Sequence, residues 1–325
     1  MLVKELKSAI LKYSKEEKDK IIVELYKKIP KSIKEDYDID NYIINFKKEN
    51  KIKKEDKILT IDELENEVKY FLTCVNDDLY VSSNKIIPKD ERSKWRFKVK
   101  RYYKELNSFD PSTPQGERAT DLLKSLYEIL SIGSVTLKFS SWETFRAIQI
   151  SQPDFLENIM KRKLITGASK ENIQYCVDLL EMEFDPYGWH VSLLLSFVSC
   201  LKTSDMKYLA IEILKEKVSE YKLKLKEVKN NYHRSFDITE SINNFVECII
   251  YIYFNLCEVD NAISYFQKNY IERHKEVKEY ILLDRLERFN LDLEWIKEYE
   301  SHNDINYRES LRDKYKELKR KIDAK

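Results

Sequence analysis

The sequence predicts an all-α protein: a smaller N-terminal helical domain followed by an antiparallel stack of helical hairpins. Three observations point there. Glycine occurs only four times in 325 residues, at Gly116, Gly133, Gly167 and Gly188, which leaves few sites for the φ > 0 turns of tight β-hairpins. Charged residues make up 35% of the chain and hydrophobic residues 42%, a mixture that suits long solvated helices and still supplies a core. No stretch sustains period-2 alternation between turn residues, whereas apolar residues recur at helical spacing throughout.

The elements follow in order. A first helix is expected near Leu2–Lys12. Ser14 and Glu17 then form a capping box for a second, Lys15–Lys28, which Pro30 ends; Ile21, Ile22, Leu25 and Ile29 give it an apolar face. A helical stretch near Ile39–Phe46 leads into the almost wholly charged run 47–57, read as a surface loop or an exposed helix end. Thr60 and Glu63 make another capping box, opening a helix through Val68, Phe71, Leu72 and Val75. Pro88 opens a basic helix that ends near Leu106. Helices are expected over 117–132, 141–150, 153–165, 169–184, 188–202, 204–229, 238–257, 259–270, 273–289, 291–301 and 306–323. Their short connections imply antiparallel neighbours.

A length of 325 residues exceeds the roughly 250–300 at which a single core stops growing, so two domains or an elongated stack are expected. The stretch Asn107–Gly116 is the one Pro/Ser/Gly-rich segment, which makes 108–117 the expected linker between 1–107 and 118–325. Ala262 and Phe266 have the Ala-x-x-x-Phe spacing of a tetratricopeptide helix, and Ala210 to Leu214 echoes it. The separation misses the ~34-residue period, so the expected stack is solenoid-like, a degenerate tetratricopeptide- or HEAT-like arrangement.

Several chemistries lack their residues. Walker A, G-x-S-x-G, dinucleotide and kinase motifs need clustered glycines, and here the glycines stand alone. His190, His233, His274 and His302 are far apart, and none has a glutamate three residues before it. Asp178, Glu181 and Asp185 share a helix face in an acidic segment, but solvated acids or a dock for the basic helix explain them better than a metal. No cofactor and no metal are therefore expected. Five cysteines, without a C-x-x-C and mostly among apolar residues, read as buried reduced thiols. With no apolar leader at the N-terminus, and the greasiest run only Cys248 to Cys257, a cytoplasmic protein without a membrane partner is expected.

One segment stands out. Residues 85–106 carry nine Lys/Arg against three acids, although the net charge of the whole chain is only +1. On a helical wheel Trp95, Val99, Tyr102, Tyr103 and Leu106 form a core arc, while Arg92, Arg96, Lys100, Arg101 and Lys104 sweep the other side with Phe97 among them. A basic face with an exposed aromatic binds phosphates and stacks a base. The structural alternative is that Phe97 touches a neighbouring helix and the cations are merely solvated.

The opening Leu6–Lys18, with Glu24-Leu25-Tyr26-Lys27-Lys28 shortly after, resembles the start of an uncharacterised bacterial all-helical family with an L-K-x-x-L-x-x-x-S-K-E-E opening and E-L-Y-K-K downstream. Ile87–Phe97 is similar to segments of related proteins, and Lys18 departs from the apolar residue of that pattern. The resemblance implies a bacterial source and a helical fold, with no activity to transfer.

Paired helices without a catalytic constellation point to a non-enzymatic module that binds a protein or peptide along an elongated surface, a role suited also to the 22 tyrosines. The alternatives are a nucleic-acid-binding protein using the 92–104 face, or a hydrolase or transferase with a dispersed site. Self-association is left open.

Overall fold

The computed structural model describes residues 3–36, 38–40, 43–44, 59–181, 190–228, 231–302 and 304–323. Among them every regular element is a helix and none is a strand, so the protein is all-α. The chain divides into two compact units, Met1–Ile58 and Leu59–Lys325. The boundary thus falls near residue 58, and the 108–117 stretch expected as a linker lies inside the second unit.

The first unit contains α1 (Val3–Ile10), α2 (Lys15–Lys28) and α3 (Lys31–Asp36). Helix α2 starts with the full capping box, the Ser14 hydroxyl accepting from Glu17 N–H while the Glu17 side chain accepts from Ser14 N–H. Its expected apolar face is not a buried one: Ile22 and Leu25 are more than half exposed, and α2 buries no residue. Periodicity reports which residues are apolar, not whether a neighbour covers them. The 47–57 run and half of the 39–46 stretch lie outside the described residues.

The second unit contains α4 (Ile61–Asn76), α5 (Lys89–Arg92), α6 (Trp95–Leu106), α7 (Pro114–Val135), α8 (Thr144–Ile148), α9 (Gln152–Ile165), α10 (Lys170–Glu181), α11 (His190–Cys200), α12 (Ser204–Glu227), α13 (Tyr232–Asn255), α14 (Val259–Asn269), α15 (Lys275–Arg288), α16 (Asp292–Ser301) and α17 (Glu309–Asp323). Most packed pairs are neighbours one or two helices apart in the chain. The C-terminal half of helix α13 is the spine: Ile242, Asn243 and every residue from Phe245 to Phe254 are buried, so that half is enclosed on all sides while the first turns stay exposed.

Two close approaches explain two of the glycines. A Cβ on Gly116 would sit 1.7 Å from the Asp110 carbonyl oxygen, and one on Gly133 2.7 Å from the Phe139 ring. The 107–117 stretch is a packed turn, closed by the buried guanidinium of Arg162. That group donates to the carbonyls of Phe109 (3.0 Å) and Gly116 (3.3 Å) and to the Thr120 hydroxyl (3.0 Å). Gly133 lets Phe139 lie on Trp95, ring centroids 4.2 Å apart, within a cluster that includes Phe71 and Tyr80. That cluster fixes the inner side of α6 and therefore which side of the basic helix faces out.

Candidate functional site

On α6 the inner arc is as expected: Trp95, Val99, Tyr102 and Leu106 are buried, and the half-buried Tyr103 packs edge-on against Phe155. The outer side is less uniform than its sequence. The helix expected from Pro88 to Leu106 is broken at Ser93–Lys94, so Arg92 ends α5 and is not part of α6; it donates to the carbonyls of Ile87 (3.2 Å) and Asn84 (3.5 Å), bracing the preceding loop. Lys100 donates to the Gln149 side chain, and Arg101 pairs with Glu67 on α4. Arg96, Phe97 and Lys104 face solvent, and so does Lys98, which helical-wheel reading passed over. Phe97 is 58% exposed, with the Arg96 guanidinium 5.0 Å from its ring centre. Among the described residues neither Arg96, Lys98 nor Lys104 forms an ion pair. The free part of the basic face is thus three cations around one aromatic ring.

The acidic segment is explained within the fold. Lys217 of α12 lies 3.1 Å from Asp178 and 2.6 Å from Glu181, and Gln174 also donates to Asp178. Asp185 lies outside the described residues. Four of the thiols are inaccessible as nucleophiles, since Cys74, Cys176, Cys200 and Cys248 are buried, whereas Cys257 is exposed. Burial pushes the Cys176 thiol up and that of Cys200 up to about 11, against the direction that activates sulfur.

A cleft of about 850 Å³ opens where the C-terminal end of α12, the first turns of α13 and the 270–273 loop converge. Its floor is rigid. The Asn243 side chain donates to the Ile271 carbonyl (3.0 Å) and accepts from Ile271 N–H (2.8 Å), while Tyr270 stacks on Phe266 at 4.4 Å. Its mouth carries two aromatics that the core does not use, Tyr232 at 74% and Phe236 at 55% exposure. Lys222, Lys226 and Arg273 line it against two acids, Glu240 and Glu272. Glu272 is already engaged, accepting from the backbone N–H groups of Arg273 and His274. Burial, with repulsion from Lys268 and Lys278, holds the Lys222 ammonium below its ordinary value. Repulsion among these cations makes an incoming carboxylate favourable there.

A third group lies beside the 259–302 helices. Glu279 on α15, Glu298 on α16 and His302 just beyond α16 bring one donor atom each within 4.8 Å of one another. The Gln267 amide nitrogen on α14 reaches the Oε1 atoms of Glu279 (2.6 Å) and Glu298 (2.9 Å). No glutamate lies three residues before any of the four histidines. The spacing here is four, Glu298 to His302, and the remaining members come from other helices.

No family model matches the chain. No curated protein matches it, and no solved structure does. Among the described residues no helix is long and apolar enough to cross a membrane.

Proposed function

We propose that the protein is a non-catalytic interaction module, and that the cleft between α12, α13 and the 270–273 loop takes a short peptide segment bearing an aromatic or aliphatic side chain next to a carboxylate. The observation that carries this reading is the pairing of two solvent-exposed aromatic rings, Tyr232 and Phe236, with a pinned floor and an excess of cations. Exposed aromatics over a rigid base are the usual anchors of binding energy, because they bury large area at small entropic cost. The cations favour an acidic flank in the ligand and set its orientation.

Selection of a random-peptide phage library on the purified chain tests the reading directly. Enriched peptides are expected to combine an aromatic or aliphatic residue with Asp or Glu. Phe236→Ala is expected to weaken the best peptide at least about tenfold, or about 1.4 kcal/mol. Phe236 is exposed, so its truncation leaves the core intact. Absence of enrichment, or equal affinity for the Phe236→Ala chain, refutes the proposal.

A second reading has its own observation, Phe97 exposed among Arg96, Lys98 and Lys104. On this reading the face binds single-stranded nucleic acid by stacking and phosphate contact. Oligo(dT) affinity is then expected to fall with salt with a log–log slope near about −0.7 per phosphate. Joint Arg96→Ala and Lys98→Ala should weaken binding and flatten that slope. An affinity indifferent to salt or to both substitutions removes this alternative.

A further inference from the structure

We infer that Glu279, Glu298 and His302 form a binding site for one divalent transition-metal ion, Zn²⁺ by the geometry of the donors. The inference is independent of peptide or nucleic-acid binding.

Charge balance is the first ground. Glu279 is only 4% exposed, and among the described residues no lysine or arginine pairs with it or with Glu298. The nearby Lys278 ammonium spends its hydrogen bond on the Gln267 carbonyl, 2.7 Å away. Burying a carboxylate is costly unless it is paired, and among the described residues the ion-pair partner of Glu279 is the His302 imidazole, which is charged only when protonated. A cation between the two carboxylates removes that cost.

Two orphaned atoms supply independent support. The Oε2 atom of Glu279 and the hydroxyl of Tyr307 are both buried, and neither has a hydrogen-bond partner. Buried polar atoms without partners are rare in native proteins. A metal-bound water on the fourth coordination position is the partner these atoms lack.

Donor type and spacing indicate the ion. His302 Nε2 lies 3.6 Å from Glu279 Oε1 and 3.4 Å from Glu298 Oε1. Bonds of about 2.0–2.1 Å in a tetrahedron place ligand atoms roughly 3.3 Å apart, close to both histidine separations, and all three donors lie within 4.8 Å of one another. One imidazole with two carboxylates is a set that zinc accepts, whereas Mg²⁺ and Ca²⁺ prefer oxygen alone. Gln267 holds both carboxylates in place through the Oε1 atoms and leaves each a further lone pair for the metal, the kind of outer support that metal ligands usually have. His302 is one-third exposed and gives the ion a way in.

Isothermal titration of the full chain with ZnCl₂, after chelator treatment and desalting, tests the site. One Zn²⁺ per chain is expected for the wild type, with a rise in Tm on loading. His302→Ala and the near-isosteric Glu298→Gln should abolish the saturable event while keeping the helical circular dichroism, and Gln267→Ala should weaken it about tenfold or more. Absence of saturable Zn²⁺ binding by the wild type overturns the inference, and so does equal binding by the His302→Ala and Glu298→Gln chains. A strong thiolate charge-transfer band in the Co²⁺-loaded chain would place the ion on a cysteine and also overturn it.

Discussion

Replacing Glu247 with alanine is expected to cost about 3–5 kcal/mol of folding stability, because it strands a buried guanidinium. Glu247 sits on α13, the enclosed spine, where hydrophobic residues surround it on both sides. Its carboxylate is held two ways at once: Arg285 of α15 donates Nε to Oε2 at 2.9 Å and a terminal nitrogen to Oε1 at 3.1 Å. The Tyr251 hydroxyl adds a third donor at 3.0 Å. The two charged side chains are 15% and 5% exposed, so solvent screens the pair little. Loss of the carboxylate leaves Arg285 only Asp284, which is shared with Arg288. The joint replacement Glu247→Leu with Arg285→Met is expected to cost far less than the two single changes added together, since the uncompensated charge disappears. Urea denaturation followed by tryptophan fluorescence measures both, because all four tryptophans lie beyond residue 58. A loss under about 1 kcal/mol for Glu247→Ala would mean that water reaches Arg285 and that the Arg285–Glu247 pair does not tie α15 to α13.

Trp95→Ala is expected to cost a comparable amount, about 3–5 kcal/mol. Trp95 is 1% exposed and stacked on Phe139, which in turn fills the space that the missing Cβ of Gly133 leaves. The cavity cannot collapse easily, since Phe139 is also stacked against Phe71 and Phe71 meets Tyr102 edge-on. Trp95→Phe keeps much of the contact area and should cost clearly less. The pair of variants separates the structural role of α6 from any role of its outer face, because neither touches Arg96, Phe97, Lys98 or Lys104. If Trp95→Ala melts like the wild type, α6 is not anchored through this cluster, and the outward direction assigned to Phe97 falls with it.

Both predictions depend on pairings between distant parts of the chain, and that is where sequence reading stopped. It located the helices of the second unit closely, from α7 at 114–135 to α17 at 309–323, since apolar periodicity, prolines and capping residues act within a few positions. It also divided α6 correctly into a core arc and a basic side. Composition does not fix the role of 107–117, because a Pro/Ser/Gly-rich segment marks a bend equally well in a linker and in a packed corner. The difference is Arg162, 46 residues beyond Gly116, which closes that corner. The six residues proposed on the basic helix divide for the same reason: Arg92, Lys100 and Arg101 are tied to other protein groups, and Arg101 meets a partner 34 residues away on α4.

The cleft and the carboxylate–histidine cluster were legible only in part. Tyr232 and Phe236 fall before the helix expected at 238–257, which in the structure already starts at Tyr232, and nothing local says that no helix covers them. Glu298 and His302 sit one turn apart and are visible in the sequence, whereas Gln267 and Glu279 reach them from other helices. By itself the sequence determined the all-α class, the positions of the helices and which side of each is apolar, because backbone hydrogen bonding and 3.6-residue periodicity are local properties. Only the tertiary structure decided where the units divide, which cations stay free and which carboxylates meet. Those outcomes depend on which surfaces become neighbours, and burial, not residue type alone, sets what a charge costs.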